Sequence, residues 1–247
     1  MYKGLVIEKK SRTAIEQAEP DRKKRFAMPD TGKRNRKLYL LKWLKVAVGL
    51  FVFAFGIHLT IFANIGLAPW DVLGMGIAAH TPLNYGLSMT ATSVVILVIV
   101  ILLGERIGVG TILDAFLTGN YVQLFNDLDP FAKNEGLLTG ILIMLVGFVF
   151  MAIGMWIYAG AEQGCGPRDS RLVGLGRRMP KVPIGFVEIL LWSAVTAVGA
   201  LLKGPVGIGT LISAGGAGLV MQAVYSVIHF DPRTLRHKDV METIRLM

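Results

Sequence analysis

The chain contains two copies of one sequence unit. Gly66-Leu67-Ala68-Pro69-Trp70-Asp71 aligns with Gly164-Cys165-Gly166-Pro167-Arg168-Asp169 at an offset of 98 residues. Gly108-Val109-Gly110-Thr111 aligns with Gly207-Ile208-Gly209-Thr210 at an offset of 99 residues. Further matches at these offsets are Gly56 with Gly154, Gly76 with Gly174, Pro82 with Pro180, Gly86 with Gly185, Ala115 with Ala214, Gly119 with Gly218, and Gln123 with Gln222. In a membrane chain, such duplication predicts a pathway or binding site at the pseudo-symmetry axis.

Composition indicates a membrane protein. Apolar residues make up 53% of the chain and the mean hydropathy is +0.56. Residues 46–70, 86–104, 136–161 and 204–228 contain no charged side chain, and a spanning helix needs about 20 apolar residues. Residues 107–126 and 182–202 are weaker candidates, interrupted by Asp114 and Glu188, at equivalent places in the two copies. The sequence therefore predicts an all-α polytopic membrane protein with six transmembrane helices.

The net positive charge is confined to the amino-terminal segment. Residues 1–45 hold 14 Lys or Arg and 5 Asp or Glu, whereas the remaining residues hold 12 of each. Residues 1–37 are predicted to be a disordered cytoplasmic tail and not a signal peptide, since no short apolar stretch with a cleavage site follows the charges. Nucleic-acid binding is one interpretation. Contact with anionic lipid is favoured, because the tail has no aromatic interleaving and no fold.

The orientation of the copies follows from their span count. Each copy has a short apolar piece, roughly 69–80 and 167–178, that is too short to cross a membrane. Three spans remain in each copy, about 44–128 and about 136–230, and an odd number inverts the second copy relative to the first. With the amino terminus inside, the inner segments are the amino-terminal tail, 104–110, 161–183 and the carboxyl end, which carry 14, 1, 5 and 4 Lys or Arg. The outer segments are 63–85, 127–135 and the turn at Lys203, which carry 0, 1 and 1. This bias predicts cytoplasmic termini, including the tail 231–247; the alternative is four spans per copy with parallel repeats.

The Pro-x-Asp motif opens each short piece. Pro69 and Pro167 suit the first helical position, and Asp71 and Asp169 favour the positive end of a helix. A helix cap alone explains these residues. The functional alternative is a pair of re-entrant or interfacial half-helices whose amino ends border a pathway and bind an anion. Arg168 lies inside the second motif, which favours an anionic or zwitterionic solute.

Polar residues recur in the third helix of each copy. Thr111 and Thr210 follow the Gly-x-Gly motif, where the glycines allow close helix packing. Gln123 and Gln222 are expected to face inward, because an unpaired amide is costly in a membrane. Asp114 is a candidate buried proton or cation site. The alternative is an interfacial carboxylate one turn inside the cytoplasmic boundary.

Other functional classes are not favoured. The single cysteine, Cys165, excludes an intrachain disulfide,. His58 lies inside the first span. It is interpreted as a packed or water-lined side chain in preference to a metal ligand. No metal cluster, nucleophile motif, phosphate-binding loop or dinucleotide fingerprint stands out. Neither enzymatic activity nor a cofactor is therefore expected.

The motifs resemble a family of bacterial integral membrane proteins. Gly66–Leu73, Gly108–Thr111, Gly164–Ser170 and Gly204–Thr210 are similar to the YczE/YyaS/YitT group, and most of all to its YczE branch. The resemblance covers about residues 44–238. It implies a location in the bacterial inner membrane and a polytopic fold. The soluble domain that YitT-type members carry after the last span is not expected here.

The leading prediction is a small-solute transporter or permease with a pathway between inverted repeats. The alternative is a non-transporting membrane factor that supports or regulates another membrane-associated system. Predicted partners are the bilayer, anionic lipid at the tail, an unknown small solute and, as an option, a second copy of the chain; nucleic acid is not among them. The predicted solute-binding residues are Pro69, Asp71, Thr111, Asp114, Gln123, Pro167, Arg168, Asp169, Thr210 and Gln222.

Overall fold

A computed structural model describes residues 36–102, 108–128, 134–161 and 184–230. Within these ranges the chain forms seven α-helices and no β-strand. The helices are α1 (Arg36–Phe62), α2 (Pro69–His80), α3 (Tyr85–Leu102), α4 (Val109–Leu128), α5 (Leu137–Ala159), α6 (Ile184–Leu201) and α7 (Ile208–Val227). The all-helical class predicted from the sequence is confirmed for this part of the chain.

Within the described ranges, four helices are long and apolar enough to cross a membrane. They are Leu40–Phe62 within α1, together with α3, α5 and α7, and each overlaps one of the four charge-free segments of the sequence. The two weaker candidates are also helical, as α4 and α6. However, α4 contains the polar residues Asp114, Asn120 and Gln123, and the sequence of α6 contains Glu188. The arrangement with six spans therefore stays a prediction.

The short helix α2 matches the piece predicted after the first Pro-x-Asp motif. Its 12 residues correspond to a length of about 18 Å, too short to cross a membrane. Pro69 occupies the first turn, and Ala68 before it is extended with φ −62° and ψ 151°. Gly66 has a φ of 110°, a conformation that glycine adopts readily and other residues rarely do. This explains why a glycine opens the motif. The second short piece, 167–178, lies outside the described residues.

Helices α1 and α5 form the centre of the fold and meet through glycines. A Cβ atom at Gly56 would lie 2.6 Å from the carbonyl oxygen of Gly147, and one at Gly49 would lie 2.9 Å from that of Gly154. Only glycine allows this separation, so the two backbones are in direct contact. The order of the contacts makes the helices antiparallel. Helix α4 packs beside α1, and α7 packs beside α5.

The connections before α2 and α7 cross each other. The Gly209 N–H donates to the Ile65 carbonyl oxygen at 2.7 Å, and the Leu67 N–H donates to that of Pro205 at 3.3 Å. The starts of α2 and α7 are therefore held together by backbone hydrogen bonds. On its other side α2 packs on α6, where a Cβ atom at Gly199 would lie 2.7 Å from the Leu73 nitrogen.

The outer faces of the helices are apolar. Exposed side chains include Leu102, Leu138 and Leu211. Contiguous apolar surface of this kind suits contact with lipid acyl chains. The predicted tails 1–37 and 231–247 lie almost entirely outside the described ranges. Only Arg36 and Lys37 are described, and they form the start of α1.

Candidate functional site

A cavity of about 70 Å³ lies between α1, α3 and α4 and is closed by one side chain from α5. By volume it has room for a few water molecules or for a ligand of a few heavy atoms. Its lining residues are Phe53, Ile57, Tyr85, Met89, Ser93, Asp114, Thr118, Gly119, Val122 and Tyr158. Five of these side chains carry oxygen atoms, and Asp114 carries the only ionisable carboxylate among them.

Asp114 and Thr118 form the polar side of the cavity. They are one helical turn apart on α4, and the Thr118 hydroxyl donates a hydrogen bond to the Asp114 carboxylate. Thr118 is buried and Asp114 is half-buried. Ser93, which is also buried, adds a hydroxyl from α3. An ionisable side chain inside a helical bundle is costly in a membrane and commonly marks an ion or substrate pathway.

Asp71 is connected to the cavity through Tyr85. The Tyr85 hydroxyl donates to Asp71 Oδ1 at 2.9 Å, and Asp71 is only 4% exposed. Asp71 lies in the first turn of α2, where the helix dipole stabilises a negative charge,. Tyr85 is the first residue of α3 and lines the cavity. The Pro-x-Asp motif therefore both forms the first turn of α2 and hydrogen-bonds a cavity side chain.

Gln123 joins α4 to the start of α3. Its Oε1 accepts the Gly86 N–H at 3.2 Å, and its Nε2 donates to Asp127 Oδ1 at 2.6 Å. A helix start leaves its first N–H groups without intrahelical partners, so this contact satisfies one of them. Gln222, the equivalent residue on α7, is exposed. Neither glutamine is among the described lining residues of the cavity, but Gln123 is hydrogen-bonded to the helix start that contains Tyr85.

The remaining predicted site residues lie at helix starts or outside the described ranges. Thr111 and Pro69 are buried in the first turns of α4 and α2. Thr210 is buried at the start of α7, where its hydroxyl accepts the Gly207 N–H at 3.2 Å. None of these three lines the cavity. Pro167, Arg168 and Asp169 lie outside the described residues.

Two cavity residues that the sequence did not single out are tyrosines. Tyr158 lies near the end of α5, and its ring packs edge-on against Phe53 with centroids 6.2 Å apart. Tyr85 directly precedes a repeated glycine, Gly86. This is the only sequence feature that could have identified Tyr85 as a cavity residue. Aromatic residues with a polar end are common in membrane helices, so neither tyrosine stands out in the sequence alone.

His58 is packed away from the cavity. Its Nδ1 lies 2.7 Å from Asn126 Oδ1, and its ring lies 5.8 Å from that of Phe125. The side chain is buried on α1. This agrees with the interpretation of His58 as a packed histidine. Among the described residues, no three His, Cys, Asp or Glu side chains cluster as a metal site requires.

The polar lining is not repeated in the second copy. At the offset of 99 residues, Ser213 replaces Asp114, Ala217 replaces Thr118 and Trp192 replaces Ser93. Ser213 is buried and donates to the Gly209 carbonyl oxygen at 2.7 Å within its own helix. The second copy therefore lacks the carboxylate and two of the hydroxyl groups. The candidate site is a specialised feature of the first copy.

Comparison with known protein families classifies the chain. Residues 39–226 match the model of DUF6198, a family of unknown function. The chain belongs to this family. The match begins within α1 and ends in the last turn of α7, so it covers most of these two helices, the five helices between them and every described residue of the cavity lining.

Individual members of known sequence are similar over nearly the same region. An uncharacterized protein of Haemophilus influenzae is 28% identical over 210 residues, which cover 84% of this chain and 95% of that protein. The uncharacterized membrane protein YczE of Bacillus subtilis is 28% identical, with 74% of this chain and 85% of YczE covered. YyaS of the same organism is 27% identical, with 79% of this chain and 99% of YyaS covered.

The predicted resemblance to the YczE and YyaS proteins is thereby confirmed. Together with four helices able to cross a membrane, it identifies the chain as a membrane protein. No solved structure matches the chain.

Proposed function

We propose that this protein is a small-solute transporter or permease of the bacterial inner membrane and not an enzyme. In this proposal six spans form two inverted repeats, and both termini lie in the cytoplasm. The observation that carries the proposal is the cavity inside the membrane domain, with Asp114, Thr118 and Ser93 on its wall. A polar cavity among spanning helices is the form that solute and ion pathways take.

The contacts between α1 and α5 support a two-fold relation between the copies. Gly49 and Gly147 are 98 residues apart, as are Gly56 and Gly154. Gly49 contacts Gly154, and Gly147 contacts Gly56. Exchanging the two copies therefore turns each contact into the other, as a two-fold axis requires. Because the helices are antiparallel, that axis is perpendicular to them and lies in the membrane plane, which corresponds to inverted repeats.

The size of the cavity limits what it binds in this conformation. A volume of about 70 Å³ admits an ion or a solute of a few heavy atoms, and a larger solute requires the helices to separate. The described residues of the lining include a carboxylate and no Lys, Arg or His. The preference for an anionic or zwitterionic solute rests on Arg168, outside the described residues, and stays a prediction. Contact of the basic tail with anionic lipid is likewise part of the proposal.

We expect Asp114→Asn to reduce transport by at least about tenfold. The substitution removes the only carboxylate among the described lining residues, and a hydrogen bond to a charged group contributes about 1.5–3 kcal/mol. Ser93→Val should also reduce transport, whereas Thr92→Val on the same helix should not. Thr92 is the matched control because it donates to the Ser88 carbonyl oxygen at 2.8 Å within α3 and does not line the cavity.

Transport can be measured before the solute is known. Metabolites that differ between a deletion strain and its parent supply the candidates. These are offered as a mixture to proteoliposomes containing the full chain, and accumulated compounds are identified by mass spectrometry. Unchanged uptake by Asp114→Asn at normal reconstitution would contradict the proposed site. A complete lack of uptake by the unmodified protein would favour the non-transporting membrane factor.

A further inference from the structure

In the first copy, α3 and α4 pack directly against each other. A Cβ atom at Gly119 of α4 would lie 2.7 Å from the Gly86 carbonyl oxygen of α3. Beside this contact, Gln123 Oε1 accepts the Gly86 N–H at 3.2 Å. Further along, Asn120 Nδ2 lies 3.5 Å from Thr90 Oγ1. The interface thus combines direct backbone contact with an amide that satisfies the start of the neighbouring helix.

The second copy has the same residues but not the same contacts. Gly185, Gly218 and Gln222 occupy the equivalent positions at an offset of 99 residues. A Cβ atom at Gly218 would meet no atom within 4 Å, and Gln222 is exposed. Within the described residues, α6 packs along α2 and not along α7. A face of α7 that matches a packed face of α4 is therefore uncovered.

An uncovered amide is unfavourable on a membrane helix. Gln222 has two donors and an acceptor that lipid tails cannot satisfy. The N–H groups of the first turn of α6, at Ile184 and Gly185, have no intrahelical acceptor and need one in a membrane. In the first copy each need is met by the other, through Gln123 and Gly86. The second copy has the same complementary groups, Gln222 and the Gly185 N–H, but within the described residues α6 does not pack along α7.

We propose that α6 docks on α7 in a second conformation of this protein, with Gly185 against Gly218 and Gln222 accepting the Gly185 N–H. The occupant is α6 of the same chain, because α6 begins Ile184-Gly185 as α3 begins Tyr85-Gly86. The carboxyl-terminal part of α6 is fixed to α2 at Gly199, while Ile189 nearer its start is 64% exposed. Docking therefore requires the first half of α6 to move about its fixed end.

Docking would give the second copy the helix arrangement that the first copy already has. The first copy is closed at α3 and α4, and the second is open at α6 and α7. If the proposed transport function holds, closing one and opening the other supplies alternating access by exchange of equivalent contacts. The docking itself does not depend on transport, so its test reads the helix contact alone.

Cross-linking of two cysteines tests the docking. In a Cys165→Ala background, Ile189→Cys with Leu219→Cys places thiols at the positions equivalent to Thr90 and Asn120. The matched control, Thr90→Cys with Asn120→Cys, spans the contact already present in the first copy. A short bifunctional thiol reagent is applied to the full chain in membranes, and cross-linked peptides are identified by mass spectrometry. An equal mixture of isotope-labelled and unlabelled protein separates links within one chain from links between two.

The expected result is a link within one chain for both pairs, at comparable yield. Gly218→Leu should reduce the Ile189–Leu219 link to background by filling the docking position, whereas Gly215→Leu should leave it unchanged. Gly215 corresponds to Phe116, which is exposed in the first copy. The inference is overturned if only the control pair links, if the link forms only between chains, or if Gly218→Leu has no effect.

Discussion

Replacing Gly56 with leucine is expected to prevent assembly of the membrane domain, so that little monodisperse protein is recovered in mild detergent. A Cβ atom at this position would lie 2.6 Å from the Gly147 oxygen and 2.7 Å from the Met151 nitrogen. Both are backbone atoms and cannot rotate away, so α1 and α5 would have to separate. Overpacking that forces side chains off their rotamers and shifts the backbone costs about 1–3 kcal/mol, and occasionally more. Even Gly56→Ala should cost about 3 kcal/mol.

The control for this prediction is Gly215→Leu on α7. A Cβ atom there would meet nothing within 4 Å, and leucine favours a helix over glycine by roughly 1 kcal/mol. Its elution profile and melting temperature should equal or exceed those of the unmodified protein. Size-exclusion chromatography and thermal melting in detergent measure both variants. If Gly56→Leu elutes and melts like the unmodified protein, α1 and α5 do not meet at their glycines.

Asp71→Ala is expected to give the second large effect, a loss of stability of about 3 kcal/mol. The carboxylate is 4% exposed and accepts a hydrogen bond from the Tyr85 hydroxyl at 2.9 Å. Removing it leaves a buried hydroxyl without this acceptor, which costs about 1–3 kcal/mol. It also removes a negative charge from the first turn of α2, which contributes up to about 2 kcal/mol in buried geometry.

A double-mutant cycle separates these contributions. Tyr85→Phe alone should destabilise less than Asp71→Ala, and the double variant should lose clearly less than the sum of the two single variants. Asp71→Asn keeps an acceptor oxygen and should fall between the unmodified protein and Asp71→Ala. The surface control Glu135→Gln, at an exposed position, should be neutral. Additive effects of Asp71→Ala and Tyr85→Phe would show that the hydrogen bond contributes nothing to stability.

The helices could be predicted because their signals are local. Four charge-free segments give four apolar helices, and Pro69 fixes the start of α2 because proline suits the first helical turn. The bounds of α2 agree with the short piece predicted at roughly residues 69–80. The weaker segment around Asp114 was predicted as a span from its place in the repeat. It is a helix whose polar residues are explained by the cavity and by the contact of Gln123 with Gly86.

The candidate site could be predicted only in part, because its residues come from four helices. Asp114 was identified, since a carboxylate in an apolar segment is unusual whatever its neighbours are. Tyr85 and Tyr158 were not, because their importance depends on which helices meet. Gly49 and Gly147 were missed as a repeated pair for the same reason: no motif surrounds them. Their meaning appears only when α1 and α5 are placed side by side.

The inversion of the two copies is tested most directly by labelling equivalent positions. Lys37 and Glu135 are 98 residues apart, so they mark the same place in the first and second copies, and both are exposed. Single cysteines at these positions, in a Cys165→Ala background, are treated with a membrane-impermeant maleimide in intact and in permeabilised cells. Inverted copies predict that Glu135→Cys is labelled in intact cells and Lys37→Cys only after permeabilisation. Labelling of both positions from the same side would mean parallel copies and would contradict the account.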